Sequence, residues 1–211
     1  MIFETLFPTP IWWEDTSNID NQSILDFCLE SRKLDPEGRY LSNQGGWQSK
    51  DFRPDAYPVL SELVNQIIKQ AEQCIRDYGY HESACSVHID NMWININGKN
   101  NTNSVHIHDN SFISGAYYVK ARPGQGNINF YKNYHHDYII ASQAPIAQYT
   151  PISASAMSYP PITGRLMLFP GSLPHGVERN ELDEDRISIS FNVRLMRLDD
   201  GPYWAENIKR N

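Results

Sequence analysis

From residue 86 onward the chain changes its period, and that change limits the folds open to it. Before that point residues 57–78 repeat apolar positions at helical spacing: Val59/Leu60, Leu63/Val64, Ile67/Ile68, Ala71 and Cys74/Ile75. Gln66, Lys69, Gln70, Glu72, Gln73 and Arg76 fill the opposite side. This predicts an amphipathic helix with Pro58 at its start and Gly79 just beyond its last turn. After it the spacing drops to two. Met92, Ile94 and Ile96 alternate with Trp93, Asn95 and Asn97; Ile187, Ile189 and Phe191 alternate with Arg186, Ser188, Ser190 and Asn192. Each series reads as a strand with one apolar and one polar side.

Between those two strands lie further short ones, each bounded by turn residues: residues 113–119, 127–131 and 166–169. Upstream, residues 21–34 suit a helix closed by Asp35-Pro36-Glu37-Gly38. Residues 1–16, aromatic and broken by Pro8 and Pro10, suit an edge strand or a wrapping arm. Residues 42–49 read as a loop around Gly45 and Gly46, and Trp47 there either packs on the core or rims a pocket. Residues 132–160, rich in Tyr and carrying His135 and His136, read as a long polar-aromatic loop of functional type. Helices followed by many short strands predict a mainly β fold with flanking helices: an antiparallel double sheet, as in a jelly roll or distorted barrel.

With 211 residues the chain suits one domain, with an N-terminal arm and supporting helices over 1–80 and a β core over 86–197. Net charge is −7 and no long basic run occurs, which argues against non-specific nucleic-acid binding. Three cysteines without Cys-x-x-Cys spacing read as thiols in a reducing compartment. With no basic, apolar leader and no run of about 18 apolar residues, the expectation is a cytoplasmic protein away from membranes. The apolar N-terminal arm offers a surface for homodimer pairing.

Chemistry concentrates at Val105-His106-Ile107-His108-Asp109, at His175, and at Arg186-Ile187-Ser188. In a strand, positions i and i+2 share a face, so His106 and His108 can offer two imidazoles to one ion. His175 follows an apolar strand and a Pro/Gly loop and can supply a third. Imidazoles suit iron, zinc, copper or nickel rather than magnesium or calcium. The better-known ligand set of non-haem iron oxygenases is two histidines and a carboxylate, so a bulge could bring Asp109 in place of His108. Arg186, eleven residues past His175, offers a planar fork for a carboxylate, and Ser188 on the same strand face adds a hydroxyl.

The segments FPTP (7–10), GGWQS (45–49), VHIHDNSFISGAYYV (105–119), GRLMLFPGSLPH (164–175) and RISISFN (186–192) resemble the 2-oxoglutarate/Fe(II) oxygenases of bacteria and phages, a group related to the prolyl hydroxylases. The resemblance implies a double-stranded β-helix, Fe(II) and 2-oxoglutarate as cofactors, ascorbate as reductant in vitro, and hydroxylation of a small molecule or peptide. By position it implies His106 and His175 as iron ligands, and Arg186, Ser188 and Tyr118 as the hold on 2-oxoglutarate. The chain departs from the wider pattern in having His108 where an acidic residue is usual. Two alternatives remain: a three-histidine metal enzyme that needs no 2-oxoglutarate, and a non-catalytic jelly-roll binding module. His81 and His88 read as solvated, Asn95 and Asn192 as cavity-lining or hydrogen-bonded fillers, and residues 181–185 as a solvated hairpin tip.

Overall fold

The computed structural model describes residues 1–2, 4–132, 148–150 and 153–198. Two antiparallel sheets face each other. The first contains, in spatial order, β1 (Trp12–Asp15), β9 (Arg165–Pro170), β6 (Ile113–Lys120), β11 (Arg186–Arg197), β4 (Cys85–Asn97) and β3 (Trp47–Gln48). The second runs β2 (Asn43–Gln44), β5 (Thr102–His106), β10 (His175–Val177), β7 (Ile128–Tyr131) and β8 (Ala156–Tyr159). This is the expected mainly β double sheet with flanking helices.

The helices α1 (Asn21–Leu34) and α2 (Ser61–Asp77) cover the outer face of the first sheet. α1 starts where Asp20 accepts the Ser23 backbone N–H at 3.1 Å, satisfying one of the free donors of the first turn. α2 begins three residues later than its periodicity suggests, because Pro58–Leu60 form a 3-10 turn first. Its Leu63, Ile67, Ala71 and Cys74 are fully buried against Met92, Ile94, Ile96, Ile187, Ile189 and Phe191. No helix among the described residues is long and apolar enough to cross a membrane.

Strand alternation therefore sends the apolar series of β4 and β11 outward under the helices and the polar series inward, between the sheets. Cross-strand register orders the inward side chains into rows: Asn97 beside Arg186; then Gln48, Asn95, Ser188 and Tyr118; then Trp93, Ser190 and Ala116; then Asn91, Asn192 and Ser114. A second, smaller apolar cluster of Ile128, Phe130, Tyr118, Met167 and Phe169 closes one end of the space between the sheets.

Three expectations need correction. Residues 42–49 are not simply a loop. Gly45, at φ +77°, turns the chain between two-residue strands, so that β2 joins one sheet and β3 the other. Residues 132–160 include the strand β8; His135, His136, Tyr134 and Tyr138 lie outside the described residues. β4 extends seven residues earlier than its alternation at Met92 suggests. Trp47 belongs to the core side: its indole N–H donates to the Asp35 carbonyl at 2.8 Å and its ring packs on the helix-covered cluster. The arm's edge-strand expectation is met at β1, where Asp15 accepts two guanidinium bonds from Arg165 of β9.

Candidate metal centre

His106 ends β5, and His175 begins β10. The two strands pair antiparallel with His106 and His175 directly opposed. His108 does not reach the site as an i+2 strand neighbour, since β5 stops at His106. It stands on the following segment, whose His108 backbone N–H is tied to the Gly171 carbonyl at 2.9 Å. The outcome is still convergence: one ring nitrogen from each of the three histidines lies within 4.8 Å of the others. Asp109 is exposed and outside the group.

The rings are pre-oriented. His106 Nδ1 lies 2.7 Å from the Ser104 carbonyl and His175 Nδ1 lies 2.8 Å from the Leu173 carbonyl. A carbonyl only accepts, so Nδ1 carries the proton in each and Nε2 keeps its lone pair for a ligand bond. Burial drives the His108 pKa down to about 4, helped by neighbouring His106. Burial likewise drives His175 down to about 3, with His106 and His108 adding to the shift against the Leu173 carbonyl. Both imidazoles are therefore neutral at pH 7, the state that binds metal. Neutral nitrogen donors at this spacing fit iron or another late first-row ion.

Across the cavity Arg186 is 3% exposed. Its guanidinium Nη1 donates to the carbonyls of Gln125 and Gly126. No carboxylate among the described residues pairs with it. The acidic run beside it is taken elsewhere: Asp183 by Lys99, Glu184 by Arg122 and Asp185 by Arg32. A buried guanidinium without a counter-charge is costly unless an anion arrives. Burial lowers its pKa, but arginine stays protonated at neutral pH. Tyr118 and Ser188 are opposed in register on β6 and β11 and flank it, lining the same cavity of about 50 Å³ as the three histidines. Tyr118 is buried, which raises its pKa, and it stays a neutral hydroxyl.

The comparisons decide the family. Residues 91–192 match the model of the family described as "Putative 2OG-Fe(II) oxygenase". They form a 2OG-Fe(II) oxygenase domain. The oxygenase is thus an oxidoreductase of the class that uses Fe(II) and 2-oxoglutarate. The match spans β4 to β11 and takes in all three histidines and Arg186. Three solved structures are similar in fold. One is the non-haem alpha-ketoglutarate-dependent carbocyclase SnoK from nogalamycin biosynthesis, 13% identical, TM-score 0.63, covering 93% of this chain and 86% of that one. Another is the prolyl hydroxylase of Trichoplax adhaerens in complex with a hypoxia inducible factor peptide fragment, 14% identical, TM-score 0.58, covering 95% and 87%. The third is the prolyl-4-hydroxylase of Pseudomonas putida, 14% identical, TM-score 0.54, covering 86% and 92%. At this identity they speak for the double-stranded β-helix fold. No curated protein sequence matches the chain.

Two features escaped the sequence reading. The inward amide oxygens of Gln48, Asn95 and Asn97 are buried without a hydrogen-bond partner. A second cavity of about 470 Å³ opens from the histidines toward Arg39, Asp51 and Asn192. Neither leaves a signal in spacing or composition: Gln48 lies within GGWQS (45–49), but its two-residue strand shows no alternation that would mark it as inward. His81 and His88 are exposed, as expected, each beside a serine hydroxyl.

Proposed function

We propose that the oxygenase hydroxylates a small-molecule or peptide substrate at a C–H bond. In that reaction one oxygen atom of O₂ enters the substrate, and the other enters succinate as 2-oxoglutarate loses CO₂. His106 and His175 would hold Fe(II) through Nε2 and His108 through one ring nitrogen, and Arg186, with Ser188 and Tyr118, would hold the distal carboxylate of 2-oxoglutarate. The observation that carries the reading is the unpaired guanidinium of Arg186, 3% exposed and lining one cavity with three convergent imidazoles. A dicarboxylate supplies the missing counter-charge.

Bound at this site, Fe(II) and 2-oxoglutarate supply the oxidising equivalents for the hydroxylation. The chain supplies position and dryness. The carbonyls of Ser104 and Leu173 keep two imidazoles aimed at one point. Gln125 and Gly126 fix one edge of the Arg186 fork and leave the rest free to donate. Phe169, with its ring centroid 4.5 Å from that of His175, and Trp93, 5.7 Å from His108, exclude water from the ligand nitrogens. Fewer competing waters strengthen each charge interaction inside.

The test is succinate formation on adding Fe(II), ascorbate and 2-oxoglutarate, with loss in Arg186→Ala. Absence of 2-oxoglutarate binding to metal-loaded protein would overturn the reading. One observation favours a second reading, a three-histidine metal enzyme independent of 2-oxoglutarate: the ligand set has a third imidazole where Asp109 stays exposed. A set without a carboxylate leaves the ion one unit more positive. Metal-dependent turnover without 2-oxoglutarate distinguishes that reading.

A further inference from the structure

The cavity of about 470 Å³ shares Ser42, Trp93, His106 and His108 with the metal-side cavity, so the two are continuous. It runs along the inward rows from Asn91 and Asn192, past Trp93, to Gln48, which stands one row from Arg186. Its volume falls in the range of small-molecule sites. Besides the histidines, its charged lining residues are Arg39 and Asp51, and they neutralise each other at 2.7 Å. The other Asp51 oxygen accepts Asn91 Nδ2 at 2.9 Å. Asn192 Nδ2 in turn donates to Asn91 Oδ1 at 3.0 Å, and Ser114 donates to Asn192 at 2.8 Å. This wall is closed on itself and offers no spare charge to a ligand.

Gln48 is different. It is 2% exposed, and its Oε1 is buried with no donor among the described residues. Its register partner is Asn95, so its side chain stands on the inward face. It lines the cleft together with Trp93 and the two histidines. A buried acceptor left unsatisfied costs stability until a water, an ion or a ligand completes it.

We propose that this cleft is the substrate site, that it takes a neutral molecule bearing an N–H or O–H donor, and that Gln48 Oε1 accepts that donor while Trp93 and His108 flank the carbon to be oxidised. This rests on the metal reading of the histidines for its orientation, but not for binding. Among the described residues no free cation lines the cleft, which disfavours an anion there. A donor-less molecule of the same shape leaves Gln48 unsatisfied and gains nothing from it. Gln48 is thus a specificity-determining residue, standing where the cleft meets the row of Ser188 and Tyr118.

The experiment uses Mn(II)-loaded protein with N-oxalylglycine and three small probes: acetamide, acetone and methanesulfonate. Acetamide and acetone share a shape, and only acetamide donates. Proton relaxation of each probe by the bound Mn(II) reports occupancy near the metal. The expected result is enhancement for acetamide several-fold above that for acetone and methanesulfonate. In Gln48→Met the acetamide excess disappears, while Mn(II) and N-oxalylglycine affinities and the melting temperature hold or rise. Equal enhancement of acetamide and acetone, an unchanged excess in Gln48→Met, or a sharp fall in melting temperature would each overturn the proposal. The last would mean that Oε1 has a structural partner. If Mn(II) does not bind at all, the metal reading fails, and saturation transfer to the same probes with metal-free protein still decides for or against the cleft.

Discussion

His106 and His175, 69 residues apart in sequence, sit directly opposite each other in the β5–β10 ladder with ring centroids 4.4 Å apart. That pairing makes the site a product of sheet register. The third ring, His108, arrives from beyond the strand end, 5.0 Å from His106 and 5.1 Å from His175.

The first prediction concerns which residue completes the ligand set. His108→Ala is expected to weaken Mn(II) or Fe(II) binding by more than the roughly 10–100-fold that loss of an outer-shell partner costs. Asp109→Asn is expected to leave it unchanged. Isothermal titration with Mn(II) checks both, and the reverse pattern would assign the carboxylate instead.

Arg186→Lys tests the fork rather than the charge. Lysine keeps the cation but loses two parallel donors, so N-oxalylglycine binding to Mn(II)-loaded protein should weaken by at least about tenfold. Arg186→Ala should weaken it further, and metal affinity should survive in both. Calorimetry with each ligand in turn separates the two effects.

Gly126 takes φ +88°, and a Cβ there would collide with the Glu178 carbonyl and stand 2.8 Å from Arg186 Nη1. Gly126→Ala is therefore expected to displace the guanidinium. The strain should cost on the order of 1–3 kcal/mol of stability, and affinity for 2-oxoglutarate should fall with Mn(II) affinity retained. Thermal melting and calorimetry read the two separately.

For the metal-free protein the pH dependence has a defined sign. His108 and His175 have folded pKa values depressed to about 4 and about 3, below the usual 6.5. Between those values the unfolded chain binds more protons than the folded one, so stability falls as pH drops from about 6.5 toward 4 and below. Above about pH 7 these groups contribute no slope. A series of melting curves from pH 8 to 5 should show this loss, and saturating Zn(II) should reduce it at the upper end of the range. His108→Gln should flatten the slope.

The sequence disclosed β11 through its alternation, and β6, β7 and β9 as short runs bounded by turn residues, each to within a residue or two. It disclosed the histidines and Arg186 because their spacing is meaningful only in an extended chain. It hid the first seven residues of β4, because a bulge between Ile89 and Asn91 shifts the phase, so that Val87 and Ile89 do not continue the series of Met92, Ile94 and Ile96. It also hid β2 and β3, which are two residues long and take their pairing from distant strands. The place of His108 was right in kind but not in cause, since its position depends on a bond to Gly171, 63 residues away. Gln48 sits in the segment 45–49 that carries the resemblance, but what sets it apart, a buried oxygen without a donor, depends on the packing of distant strands.

The helix-covered side of the first sheet and its inward side do separate work. Cohesion comes from Leu63, Ile67, Ile94, Ile189 and their neighbours under α1 and α2, with the smaller Phe130–Phe169 cluster inside, while in the proposed reading recognition falls to the amides and hydroxyls of the inner wall. A lineage carrying this fold is thus free to vary its inner wall and acquire new substrates without endangering its ability to fold, so long as the outer stripe is left intact.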